Sequence, residues 1–414
     1  MSQASRFFLG ASPFRARWLP CPASTGLAAD EELLEMPCVL ASWSEEAKQH
    51  MIIVGDVRKQ ADSHDMLEFA PKLTARHPGR ATDLQVARID DSIIAATSSS
   101  NGGIYLLMMQ LPPIPGATSA DLQFVAPSAD DVDSDEDAAA AAAADDNSRY
   151  LHELPQLHEA PAASLDINTT RQALLSVSGD GSICVVPLDA LAQLGGECSF
   201  KAASSWSGYS QGRWVDSHTF ATTGVLGGLQ VWDLRRGAKP VASSSLAWGH
   251  TGCGALDKQQ GPARQLLCLD VHPSRPNLAA TGALGGGVAL WDLRFQAGPL
   301  ALAGSAAAAG DVWELKFDPC EPLMSSSVAA VPPLLYCTSD GALCSAYAAE
   351  AAGGQGAVPG LGGACGAAGS LASQLLLQDS CSINSFDVDQ SVGQDILAVT
   401  DFECMLLLHR PVEL

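Results

Sequence analysis

Hydrophobic and polar positions along this chain follow one phrase that keeps returning. Residues 266–294 read LLCLDVHPSRPNLAATGALGGGVALWDLR: alternating apolar positions, a His-Pro turn, the run Leu-Ala-Ala-Thr-Gly, glycines, then a second alternation closing on Trp-Asp. The phrase recurs in residues 83–110, 164–188, 213–235, 311–347 and 382–410, and more weakly in 37–57. Period-two alternation punctuated by Gly, Asp-Gly or X-Pro predicts short strands joined by tight turns in every copy.

Such a strand set cannot cover both of its own faces. Seven sets arranged radially bury each sheet between two others, so the repetition predicts an all-β fold, a seven-bladed β-propeller. Aligning the strand that carries Trp-Asp puts Val54, Leu107, Val186, Trp232, Trp291, Ala346 and Leu407 in register. The last copy lacks an outer strand of its own. Arg6-Phe7-Phe8-Leu9, short, apolar and apart from the first copy, is expected to supply it and remove an open edge.

Length fits this reading. The 414 residues form one propeller, with an insertion over 112–160 holding an acidic and alanine-rich loop (127–149) and a Gly/Ala-rich inter-blade loop over 349–373. Charge narrows the function. A formal net charge of −23 offers no cationic footprint for direct nucleic-acid binding. The insert holds eight acidic residues between 130 and 146, so the remainder is still acidic at −15. No apolar run long enough for membrane insertion and no secretory leader are read in the chain. The twelve cysteines form no CxxC pair and read as reduced, mostly buried thiols.

Candidate chemistry is sparse. Gly208-Tyr209-Ser210-Gln211-Gly212 matches the nucleophile-elbow pattern, but that motif needs a strand before the serine and a helix after it, and here a strand-like copy follows. Gly227-Gly228 and Gly285-Gly286-Gly287 lack the strand–loop–helix setting and following Lys-Ser/Thr of a phosphate loop, and read as turns needing positive φ. The nine histidines show no ligand spacing; Gly249-His250 is expected to carry a buried structural histidine. The sequence therefore implies no enzyme, no catalytic residues, no cofactor and no metal.

Trp232-Asp233 and Trp291-Asp292, each ending a strand after a glycine turn, resemble the structural boxes of WD-repeat propellers. The turn aspartate of that family is missing before Leu229 and Val288. More closely, the chain resembles the WD-repeat nucleoporins of the Y-shaped outer-ring subcomplex of the nuclear pore. Arg17-Trp18-Leu19-Pro20, His272-Pro273 with Ala279-Ala280-Thr281-Gly282, Trp291-Asp292-Leu293-Arg294, and residues 312–317, 337–341 and 382–388 carry that resemblance. It implies a non-enzymatic scaffold at the nuclear envelope, docked on other outer-ring nucleoporins and supporting pore assembly, mRNA export and protein transport. Some members of the family also visit kinetochores. Trp248 and Phe295 are candidate docking residues on loops.

A competing reading rests on Trp232-Asp233-Leu234-Arg235 and Trp291-Asp292-Leu293-Arg294. Both match the Trp-Asp-x-Arg box of substrate receptors that dock on a cullin-RING ligase adaptor, with Arg235 and Arg294 as the contacts. A third reading, a peptide-reading WD module, requires aromatic and carboxylate residues around the central channel.

Overall fold

The structure, a computed structural model, describes residues 4–21, 24–28, 31–60, 67–111, 119–126, 147–188, 198–203, 208–245, 264–294, 298–303, 310–319, 333–348, 369–390 and 395–410. Seven antiparallel blades stand around a central channel. The innermost strands, in chain order, are Ser12–Trp18, Ala81–Ile89, Ala162–Asn168, Tyr209–Trp214, Leu266–Val271, Val312–Phe317 and Ile383–Val388, and these define blades 1 to 7. Blades 5 and 6 are fused into one eight-stranded sheet, because their outer strands Ala301–Ala303 and Gly369–Gln378 pair in parallel.

Ring closure follows the expectation. Ala4–Phe8 runs antiparallel to Cys404–Leu408, with Ala4 opposite Leu408 and Phe8 opposite Cys404. The segment thus becomes the outer strand of blade 7 and buries Phe7 against blades 7 and 1.

Packing explains why blade strands read as apolar runs rather than strict alternations. Seven apolar clusters fill the seven interfaces between adjacent blades. In blade 2, Ile93, Ala95, Leu107 and Met109 face blade 1, whereas Ile94, Ala96, Ile104 and Leu106 face blade 3. Both faces of a sheet are interior, so both sets of positions must be apolar.

The same packing corrects the register at two places. Trp232, Trp291, Leu107 and Ala346 all point toward the preceding blade. Val54 and Leu407 point toward the following one, and hydrogen-bonding register gives Gly55 and Leu408 as the true equivalents. A shift of one residue reverses the face, and neither strand carries a tryptophan to anchor the alignment. At Gly55 the place of a side chain is taken: a Cβ would lie 2.6 Å from the Phe69 ring.

The insertion contributes to its blade. Its ends, Gln123–Val125 and Leu151–Glu153, both pair with Ile104–Gln110, so two short pieces form the outer edge of blade 2. Residues 127–146 lie outside the described residues, while Asn147–Tyr150 forms a short 3-10 turn. Of the expected loop over 349–373, residues 369–373 belong to a strand. Gly369–Gln378 is a strand, paired with Ala342–Ala348, and residues 349–368 lie outside the described set. Among the described residues no helix is long and apolar enough to cross a membrane.

Candidate functional site

The channel wall is built by one local irregularity used seven times. Every inner strand has a β-bulge near its start, between Pro13/Arg15, Ala81/Asp83, Ala162/Ser164, Tyr209/Gln211, Leu266/Cys268, Val312/Glu314 and Ile383/Ser385. A bulge adds one residue and re-aims those after it. The residue just past each bulge forms a first rung, which includes Arg15, Asp83, Gln211 and Glu314. Two residues further on lies a second rung. In ring order it reads Arg17, Gln85, Asp166, Arg213, Asp270, Lys316 and Asp387.

These rungs latch neighbouring blades together. On the second rung, Asp387 accepts the Trp18 N–H, Asp166 the Trp214 N–H and Asp270 the Phe317 N–H, each at 2.8 Å. On the first rung, Asp83 accepts from Leu165 N–H at 3.2 Å, Gln211 from Leu269 N–H at 2.8 Å and Glu314 from Phe386 N–H at 3.4 Å. Blade 1 meets blade 2 differently, with the Arg15 guanidinium donating to the Thr82 carbonyl at 3.2 Å.

Charge pairing runs across the channel. Arg17 lies 2.6 Å from Glu314 and 3.8 Å from Asp83, Arg213 lies 3.6 Å from Asp83, and Lys316 lies 2.6 Å from Asp387. Burial pushes Glu314 up, but Arg17, Lys316, Arg15 and the Ser385 hydroxyl hold it at about 2. Asp166 has a weaker counterweight: burial drives it up to about 6 against the pull of Arg213 and the Trp214 N–H. At the end away from the bulges a cavity of about 260 Å³ opens, lined by Trp214, Phe317, Arg213, Lys316 and the carboxylates Asp166, Asp270 and Asp387. Its acids are tied to backbone N–H groups and bases, which makes them structural latches.

Trp232-Asp233 and Trp291-Asp292 end the third strands of blades 4 and 5. Trp232 and Trp291 are fully buried, and their indole N–H groups donate to Thr222 and Thr281 hydroxyls at 3.0 and 2.9 Å. Asp233 accepts from the Arg235 backbone N–H and, with both carboxylate oxygens, from the Arg235 fork at 2.9 Å. Asp292 holds Arg294 in the same way, at 2.9 and 2.5 Å. Both guanidinium groups are half-exposed or more, yet each is folded onto its own box.

Two histidines that the sequence reading passed over belong to the same scheme. In blades 2 and 3 the hydroxyls equivalent to Thr222 and Thr281 are Thr97 and Ser176, and their partners are His77 Nε2 at 2.9 Å and His158 Nε2 at 2.6 Å. His77 Nδ1 must donate to the Gly79 carbonyl at 2.7 Å, so its Nε2 accepts from Thr97. Burial lowers both histidines to about 4. Blades 4 and 5 thus satisfy the hydroxyl with tryptophan, and blades 2 and 3 with histidine. The signal was a histidine 18 to 20 residues before the hydroxyl. Gly249-His250, Trp248 and Phe295 lie outside the described residues.

Ser210, in the elbow-like motif, is the bulge residue of blade 4 and its hydroxyl meets Gln265 Nε2 at 3.2 Å. The strand continues to Trp214 with no helix following. Gly227 and Gly285 have φ of 77° and 74° and sit in turns between strands. Among the described residues no group of three His, Cys, Asp or Glu is placed to hold a metal.

No protein-family model matches the chain. Curated proteins do. The chain is similar to the Arabidopsis thaliana nuclear pore complex protein NUP43, at 28% identity over 211 residues, covering 49% of this chain and 50% of that protein. Nucleoporin Nup43 of mouse and of human each match at 29% identity over 123 residues, which is 30% of this chain and 26% of theirs. The chain therefore spans about half the length of the plant relative and a quarter of the mammalian ones. The chain is a seven-bladed β-propeller that is similar in sequence, over about half its length, to the plant nuclear pore complex protein NUP43.

Proposed function

We propose that this protein is a structural subunit of the nuclear pore complex. It acts as a rigid propeller that docks on other nucleoporins of the Y-shaped outer-ring subcomplex. One observation carries the reading: similarity to Nup43 over 211 residues in a chain that folds as seven blades. Pore assembly, mRNA export and protein transport are then served through protein partners at the nuclear envelope, and a kinetochore population in mitosis follows from the same membership. The channel geometry agrees with a scaffold, since its ionisable groups cross-link blades.

The competing ligase-receptor reading gains nothing from the arginines, because Arg235 and Arg294 are engaged by Asp233 and Asp292. Affinity purification of the tagged full chain separates the two. Recovery of outer-ring nucleoporins supports the scaffold. Recovery of a cullin adaptor in their place, lost in the Arg235→Ala/Arg294→Ala double variant, overturns it.

A further inference from the structure

The turns between second and third strands all emerge on one face of the disc, the face on which the inner strands begin. Folding physics makes a clear demand there: tight turns favour Asn, Asp and Gly, which cap the turn and tolerate positive φ. Blade 5 complies with Gly285-Gly286, and three further blades with Asn-Gly or Asp-Gly. Asn101-Gly102, Asp180-Gly181 and Asp340-Gly341 occupy the tips in blades 2, 3 and 6, with Asn101 and Asp180 accepting backbone N–H groups two residues on at 2.8 and 2.7 Å.

Blades 4 and 7 break the rule with an apolar residue at the tip, and blade 5 sets one beside its glycines. Leu226 and Phe402 stand at the position of Asp180, and Leu284 stands one residue earlier, with exposures of 62%, 66% and 44%. Blade 7 departs twice, because Glu403 holds φ of 50° where blades 2 to 6 all have glycine. Neither Leu226 nor Phe402 helps its turn to form, and each, like Leu284, keeps apolar surface in water. Phe8 at the end of the closing strand lies beside this turn, where the Leu9 N–H donates to the Glu403 carbonyl at 2.8 Å, and Trp313, the bulge residue of blade 6, is exposed on the same face.

Charge on this arc is acidic. Asp401 and Glu403 bracket Phe402, and Asp401 accepts from the neutral Asn384 amide at 2.6 Å. Of the nearby cations Arg6 pairs with Asp379, and Arg264, which donates to the Gly285 carbonyl at 3.1 Å, stands at a turn whose Gly285 N–H is held by the Asp311 carboxylate at 2.6 Å.

The geometry points to this arc, over blades 4 to 7, as the docking surface for a cationic amphipathic segment of a partner protein. Apolar residues of that segment cover Leu226, Leu284, Phe402 and Trp313, and its lysines or arginines meet Asp401 and Glu403. The inference rests on the scaffold reading and names the face through which docking occurs. A second copy of this chain is disfavoured as occupant, since at a net charge of −23 two acidic faces repel.

The test is quantitative recovery of outer-ring nucleoporins by the tagged full chain. It compares wild type with Leu226→Ser/Leu284→Ser/Phe402→Ser and with a control on the blade 6 rim, Tyr347→Ser/Leu375→Ser. Melting curves check that both variants fold. The expected result is about a tenfold loss for the turn-face variant and none for the rim control, as for removal of interface anchors, with wild-type recovery falling as salt rises. Unchanged recovery in the turn-face variant, loss in the rim control instead, or salt-insensitive recovery overturns the inference while the scaffold reading stands. A wild-type chain that recovers no nucleoporin overturns both. Self-association in sedimentation that the turn-face variant abolishes also overturns it, in favour of a second copy.

Discussion

Removing the Arg17 guanidinium tests whether the channel charges hold the ring together. Arg17 is 3% exposed, lies 2.6 Å from Glu314 and donates to the Ser385 hydroxyl at 3.0 Å. It thereby ties blade 1 to blades 6 and 7 across the channel. In the folded chain Glu314 sits at about 2, against an ordinary value of 4.5. That depression is worth about 3 kcal/mol, present in full above pH ~4.5 and lost as pH falls toward 2. Arg17→Met leaves Glu314 buried, with Lys316 at 3.7 Å as a weaker counter-charge. Breaking a buried pair from one side costs about 3–5 kcal/mol.

The pH dependence then changes sign. With burial dominant, Glu314 titrates above its ordinary value, so acidifying the variant from pH 7 toward 5 restores part of the loss. Wild type gains nothing from this group over the same window. Urea unfolding followed by tryptophan fluorescence, at both pH values, reads the effect. Glu314→Gln and the double variant complete a cycle in which the double costs less than the sum of the singles. An Arg17→Met protein within about 1 kcal/mol of wild type at pH 7, or strictly additive singles, refutes the reasoning.

Three further outcomes follow from the fold. Deleting residues 1–12 strips the outer strand from blade 7 and exposes an edge, so the melting temperature and solubility should both drop; a fully stable truncation would contradict ring closure. His77 and His158, held neutral at about 4 against 6.5 when unfolded, are taxed as the unfolded chain gains protons first. Stability should decline from pH ~6.5 to ~4, and His77→Gln should flatten that slope in a melting series. Gly341→Ala should cost more than about 1 kcal/mol in urea unfolding, because φ is 83° and a Cβ would lie 2.4 Å from the Asp379 carbonyl; Gly10→Ala, with φ of 68° and open space, should cost less.

The blades were legible because each reuses the same signals: turn glycines, apolar runs and, in blades 4 and 5, a tryptophan that fixes the register. Without that anchor the strands around Val54 and Leu407 slipped by one, since an apolar run with two buried faces does not say which face is which. The closing strand was legible from an apolar segment outside the repeats and a last blade short of a strand. The channel rungs were not. Successive members lie 46 to 81 residues apart in sequence, and each alone reads as one polar residue in a strand. The missing turn aspartates were visible in the sequence, but only the shared face of Leu226, Leu284 and Phe402 gives them a common meaning.

The second rung carries one more consequence, a matter of parity. Around the ring its signs run plus, neutral, minus, plus, minus, plus, minus, from Arg17 through Gln85 to Asp387. Two signs cannot alternate around an odd circle without placing two like charges side by side, and the uncharged Gln85 absorbs that mismatch. Blade 2 is therefore the odd member electrostatically. Excising it would leave six charges in unbroken alternation, whereas excising blade 4 would set Asp166 against Asp270. The channel thus constrains the order in which its charged blades must stand, while leaving their number to the packing between blades.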